Sequence, residues 1–123
     1  MTRVKELLAN GNNVSFGHDD IFDPWYPLGS GNMRDVIHMG LHVCQMMGYQ
    51  EIMDSYRLCT HNAAKTLHLG ESYGIREGNP ASFIVLDGDN FYNALNKKGE
   101  ILYSYNRGRL IASAEPAVRK VMF

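Results

Sequence analysis

The chain has 123 residues, with 12 basic and 13 acidic side chains and a formal net charge of −1. That length fits one domain and is too short for a complete eight-stranded α/β barrel, which takes about 250 residues. At 45% hydrophobic residues the chain is not a disordered one, and its balanced charge gives no electrostatic footprint for nucleic acid or a membrane surface. No apolar run approaches the roughly 20 residues of a membrane span, and the opening MTRVKELLANGNN lacks the apolar core of a signal peptide. A cytoplasmic location is therefore expected.

Val4, Leu7 and Leu8 share one face at helical spacing, and Gly11-Asn12-Asn13 stops that helix. The apolar run Val14-Ser15-Phe16 predicts a short strand ending at Gly17, with His18, Asp19 and Asp20 directly after it. In α/β folds ligands bind beyond the carboxyl ends of strands, so charged side chains at this point carry more interest than elsewhere. The loop IFDPWYPLGSGN interleaves Pro24, Pro27, Gly29 and Gly31 with Phe22, Trp25 and Tyr26. Such a loop is too apolar for a mere connector and is expected to pack over something.

Asn32 or Ser30 can cap the next helix, where Met33, Val36, Ile37, Gly40, Leu41, Cys44 and Met47 repeat at helical spacing as far as Gly48. Met39, Val43 and Met46 widen the apolar surface, which predicts burial between layers. A second helical stretch runs from Ile52 to Leu69, with Tyr56, Cys59, Ala63 and Leu67 on one face and Thr60 as a candidate internal cap. After Tyr73 the period changes. Phe83 to Leu86 predicts a buried strand ending at Asp87, and Tyr92 to Leu95 a brief helix. Ile101–Tyr105 and Leu110–Ala112 flank Asn106-Arg107-Gly108-Arg109, a hairpin with Gly108 at positive φ. Val118 to Phe123 predicts a last strand. The chain divides into an α-rich part, 1–72, and a β-rich part, 73–123.

His18-Asp19-Asp20 is the strongest local feature. A carboxylate at a strand end can be a metal ligand or a general base; the plainer alternative is one acid capping a turn and the other in solvent. His38 and His42 stand four apart on a helix, the spacing of a metal-binding pair, but no glutamate lies between them and core or interface histidines explain them more simply. Cys44 and Cys59 lack a CxxC spacing and are expected to be reduced core thiols. No P-loop, GxSxG elbow, GxGxxG fingerprint or H-x-E with P-C-x-x-C signature is present. Spacing alone assembles no self-sufficient active site.

The run VSFGHDDIFDPWYPLGSGNM, residues 14–33, closely resembles the segment around the last barrel strand of bacterial cytosine deaminases in the amidohydrolase superfamily. CTHNAAKTLHL, 59–69, and YGIREGNPASFIVLD, 73–87, are similar to the C-terminal pattern of the wider superfamily. The first block is specific to the deaminase branch, and the second says little about substrate. The resemblance implies an α/β fold, the C-terminal part of a distorted (β/α)8 barrel: its last strand and following helices in 1–72, and strands of an accompanying small β-sandwich in 73–123. It implies hydrolytic deamination of cytosine to uracil and ammonia, with one divalent metal ion, iron or zinc, in the intact enzyme. By position Asp19 is the implied metal ligand and catalytic proton shuttle, and Asp20, Trp25 and Phe22 the implied substrate-binding residues. A metal lowers the pKa of bound water from 15.7 to about 7, where an adjacent carboxylate can take its proton. An aromatic loop over a flat heterocycle excludes water.

The departure from the family pattern is large. The H-x-H pair of the first strand, the histidines of the fifth and sixth, the proton-handling glutamate and the pyrimidine-reading glutamine have no counterpart here. The sequence corresponds to the closing part of such an enzyme, from about the helix before strand eight. One carboxylate does not make a catalytic metal site, so this chain alone is expected to be inactive and to hold no metal stably. The apolar stretch Met33–Met47 would then lack its cover, which leads to the alternative of a non-catalytic association module. Homo-oligomerisation or association with a missing N-terminal portion is expected of it.

Overall fold

A computed structural model describes residues 2–118 and 120–122. The chain divides into two compact units, Met1–Gly70 and Glu71–Phe123.

The first unit is helical. Helix α1 spans Val4–Ala9 and α2 Met33–Val43, followed by three short helices, α3 (Tyr49–Asp54), α4 (Tyr56–Cys59) and α5 (His61–Thr66). Its core consists of Val4, Ile37, Leu41, Met46, Leu58 and Ala64. The cap of α2 is Asn32, whose side chain accepts from the Arg34 N–H at 3.1 Å. That helix stops at Val43, ahead of the Gly48 that its apolar spacing suggested. Gln45 turns into the left-handed region at φ 54°, and Met46 N–H closes onto the Leu41 carbonyl at 2.8 Å, burying Met46. The long helix expected over Ile52–Leu69 is broken twice. Ser55 is buried with its hydroxyl on the Ile52 carbonyl, and the Thr60 hydroxyl turns back to the Tyr56 carbonyl instead of capping α5. Thr60 is the break point, but its side chain ends α4 and does not start the next helix.

Val14–Phe16, expected as a strand, has no ladder. A strand needs a lateral neighbour, and here helix residues take its hydrogen bonds. Phe16 N–H donates to the Leu58 carbonyl at 3.0 Å, and Asn62 Nδ2 donates to the Val14 carbonyl at 2.8 Å. Asn13 Nδ2 reaches the Asn62 carbonyl and Thr66 Oγ1, and Ser15 shares a hydrogen bond with the same threonine. The Phe16 ring lies on Gly40 of α2, where a Cβ would overlap it.

The second unit holds an antiparallel sheet in the order β1 (Phe83–Leu86), β2 (Ile101–Asn106), β3 (Arg109–Ser113), with helix α6 (Phe91–Asn96) between β1 and β2. Asn90 caps α6 by accepting from the Asn93 N–H at 2.9 Å, and Ala94 and Leu95 are buried. Phe83 stands opposite Tyr105 and the two rings stack at 4.9 Å. The β2–β3 loop has two residues, Arg107 and Gly108, both at positive φ (50° and 79°), the form whose twist matches the flanking strands. Gly108 sits where the sequence placed it, in a tighter loop than the four residues expected.

Strand β1 was expected to be buried, yet Phe83, Ile84 and Val85 are exposed, because no second sheet faces this one among the described residues. The strand expected over 118–123 does not form in its described part: Val118, Val121 and Met122 are exposed and unpaired in any ladder. Arg119 and Phe123 lie outside the described residues.

Candidate functional site

The segment from Gly17 to Asn32 is a looped strap with a dense set of internal hydrogen bonds. Asp19 is exposed and has φ 66°, the left-handed region that aspartate tolerates better than most side chains. Phe22 also has positive φ, 50°, and the residue is 81% exposed. Non-glycine residues held this way cluster at functional sites, where surrounding structure fixes them.

The acid at 23, which sequence reasoning passed over, shapes the aromatic part. Asp23 Oδ1 accepts from the Trp25 N–H at 2.9 Å and the Tyr26 N–H at 2.8 Å, an Asx turn across Pro24. The Asp-Pro dipeptide is the signal that could have revealed it. Trp25 is thereby turned outward and is 88% exposed. The Tyr26 N–H holds the Asp23 carboxyl below the usual carboxylate range, helped by a hydrogen bond with Asp20 and the Trp25 N–H. That shared hydrogen bond raises Asp20 in turn, with desolvation and the negative charge of Asp19 adding to it.

His18, at the start of the strap, is half-buried. Its Nδ1 is 2.6 Å from the Asp20 carbonyl, its Nε2 accepts from the Gly31 N–H at 3.2 Å, and its ring stands 5.7 Å from that of Tyr26. Gly29 is buried against this assembly. A Cβ there would meet the Asp20 carbonyl and the Tyr26 ring at 2.8 Å and His18 Cε1 at 3.1 Å.

The four residues singled out from sequence thus lie on one strap, with Asp20 and Asp23 coupled and Phe22 and Trp25 presented to solvent. His38 and His42 are exposed on α2, their rings 4.7 Å apart, with His42 Nδ1 at 2.8 Å from the His38 carbonyl. Among the described residues no group of three or more His, Cys, Asp or Glu side chains could hold a metal ion. Among the described residues, Asp19 thus stands without the further ligands that the divalent ion implied by the resemblance would need. Cys44 and Cys59 are free thiols. Burial pushes Cys59 up to about 11, so it is a half-buried thiol of low reactivity whose Sγ faces the Phe16 carbonyl. A separate cleft of about 410 Å³ lies between Lys5, Leu8, Met46, Glu51 and Arg57, and no residue of the strap lines it. No helix among the described residues is long and apolar enough to cross a membrane.

The pattern over residues 1–112 matches the amidohydrolase family, and the chain belongs to that family. Its α/β fold, helices followed by a small antiparallel sheet, matches the C-terminal part of amidohydrolase deaminases. The 5-methylcytosine deaminase of Klebsiella pneumoniae, liganded with phosphonocytosine, superposes with a TM-score of 0.90 at 41% identity, over 98% of this chain and 30% of that one. The same enzyme with 5-fluorocytosine gives 0.89 at 41% identity, over 100% of this chain and 29% of that one. N-isopropylammelide isopropylaminohydrolase of Burkholderia multivorans shares the fold at TM-score 0.81 and 22% identity, over 90% of this chain and 28% of its own. The N-isopropylammelide isopropyl amidohydrolase of Pseudomonas sp. (strain ADP) is 26% identical over 115 residues, 94% of this chain and 28% of that protein. The chain thus spans under a third of the length of the proteins it matches.

Proposed function

We propose that this chain is the part of a metal-dependent cytosine deaminase that carries the strap 17–32 and, on it, Asp19. The observation that carries the reading is the strap itself: an exposed carboxylate held at positive φ beside Asp20, with Phe22 and Trp25 projecting from the same loop. The 41% identity with a deaminase crystallised with cytosine analogues supports a pyrimidine substrate over the N-isopropylammelide of the more distant relatives.

In this reading, water adds to C4 of cytosine, the exocyclic nitrogen leaves as ammonia, and a proton passes from the attacking water to the leaving nitrogen. Asp19 carries that proton. Trp25 and Phe22 cover the flat faces of the ring and exclude water, and Asp20 hydrogen-bonds the ring edge. The iron or zinc ion belongs to the assembled enzyme, whose other ligands come from outside this chain. The chain alone is inactive.

The test is Asp19→Ala in the intact enzyme that carries this chain, assayed with cytosine and 5-methylcytosine. Loss of a proton-transfer group lowers kcat by about 10²-fold or more. Unaltered turnover would overturn the assignment.

A second reading, an association module, is favoured by Met39, Val43, Met47 and Tyr49, all exposed on and after α2. An apolar surface of that kind is expected to drive self-association or pairing with the rest of a barrel. A well-folded monomer at high concentration by light scattering would refute it.

A further inference from the structure

His18 makes two hydrogen bonds that close the strap into a ring. Gly31, thirteen residues on, donates its N–H to Nε2 at 3.2 Å, so Nε2 is the acceptor nitrogen. Nδ1 then carries the proton and donates it to the Asp20 carbonyl at 2.6 Å. One imidazole thus ties the start of the strap to its end with a donor on one side and an acceptor on the other. The space inside the ring is filled: Gly29 is buried against the Asp20 carbonyl and His18 Cε1, and the Tyr26 ring stands beside the imidazole. The residues enclosed between the two tied points include Phe22 and Trp25, and one tied point is Asp20 itself.

We propose that His18 is a positioning residue, the clasp that holds Asp20, Phe22 and Trp25 in the arrangement that meets the substrate. The role given to the strap rests on the deaminase reading above; the clasp itself rests only on the geometry. Without the imidazole, the Gly31 N–H and the Asp20 carbonyl lose their partners and the ends of the strap separate. Holding reacting and binding groups in place is worth much of an enzyme's rate, and displacement of about 1 Å can cost 10²-fold.

The chain carries its own reporter, because Trp25 is its single tryptophan and lies within the ring. In the 123-residue chain, nitrogen NMR is expected to show His18 protonated on Nδ1 and bare on Nε2; the opposite tautomer would overturn the clasp. His18→Ala is expected to lower Trp25 fluorescence anisotropy. It should also speed Gly31 amide exchange several-fold, up to roughly tenfold, the effect of losing one hydrogen bond. His18→Gln offers a donor and an acceptor on one amide and is expected to restore both readouts; Gly31 exchange unchanged in His18→Ala would refute the proposal. In the intact enzyme His18→Ala is expected to raise KM for cytosine more than it lowers kcat, with His18→Gln recovering KM. Unchanged KM would remove the positioning role while leaving the clasp in place. If instead the deaminase assignment fails at Asp19, the tautomer and exchange results are unaffected, so the two failures are distinguishable.

Discussion

Replacing Gly40 by alanine sets two effects of opposite sign against each other. In the interior of an exposed helix the change is worth about 0.8–1.0 kcal/mol of added stability, since glycine gives up more backbone freedom than alanine. At this position a new Cβ overlaps Phe16 Cε2 and comes to 3.0 and 3.1 Å from two further ring carbons. Phe16 N–H is tied to the Leu58 carbonyl, so the backbone cannot retreat and relief requires the ring to leave its rotamer. Overpacking of this sort costs about 1–3 kcal/mol, so Gly40→Ala is expected to destabilise by up to about 2 kcal/mol net. In a Phe16→Ala background the overlap is gone and the same glycine change should stabilise by about 1 kcal/mol. The coupling energy of the cycle is then the packing term alone, about 1–3 kcal/mol. Urea unfolding followed by far-ultraviolet circular dichroism of the four chains measures it. Stabilisation by Gly40→Ala in both backgrounds would refute the packing of Phe16 on α2.

Gly108→Ala puts a Cβ on a residue at φ 79° and is expected to cost about 1–2 kcal/mol in the second unit, whereas Arg107→Asn, better suited to the left-handed turn, should gain a few tenths; thermal unfolding compares them. Glu51 is held below its ordinary value by Lys5, 2.9 Å away, and by the Gly48 N–H. A depressed carboxylate adds stability above its unfolded value of about 4.3, and that contribution is lost as pH falls through the lower folded value. The melting point should therefore drop on acidification, and Glu51→Gln should flatten the drop; an identical pH profile would refute the linkage. Cys59, pushed up to about 11 by burial, is expected to resist iodoacetamide at pH near 8 in the folded chain and to react once urea unfolds it, as mass spectrometry of the labelled peptides would show.

Features that depend on neighbours in sequence were legible from the residues. Asn32 caps α2 as its position suggested, and the turn at Gly108 was marked by its own dipeptide. Features set by distant partners were not. The run Val14–Phe16 has the composition of a strand, but a strand is a relation between two segments, and here the available partners are Leu58 and Asn62. The end of α2 was misplaced because Gly48 is the residue expected to tolerate a left-handed turn, whereas Gln45 makes it. Within the strap, the aspartates and aromatics were visible as residue types. The tie from His18 to Gly31 was not, since it depends on Gly29 being small enough to let the ends approach.

The hydrogen bonds that anchor residues 13–16 have a consequence for the order in which the chain can acquire structure during synthesis. Their partners, Leu58, Asn62 and Thr66, lie 42 to 53 residues further along. At about 5–20 residues per second a ribosome needs roughly 2–10 s to deliver them, long compared with the microseconds in which a helix forms. The strap's own ties span at most 13 residues and can close well within that interval. The loop that bears Asp19 can thus close seconds before the hydrogen bonds of the segment leading into it can form, with only the Phe16–Gly40 contact within earlier reach.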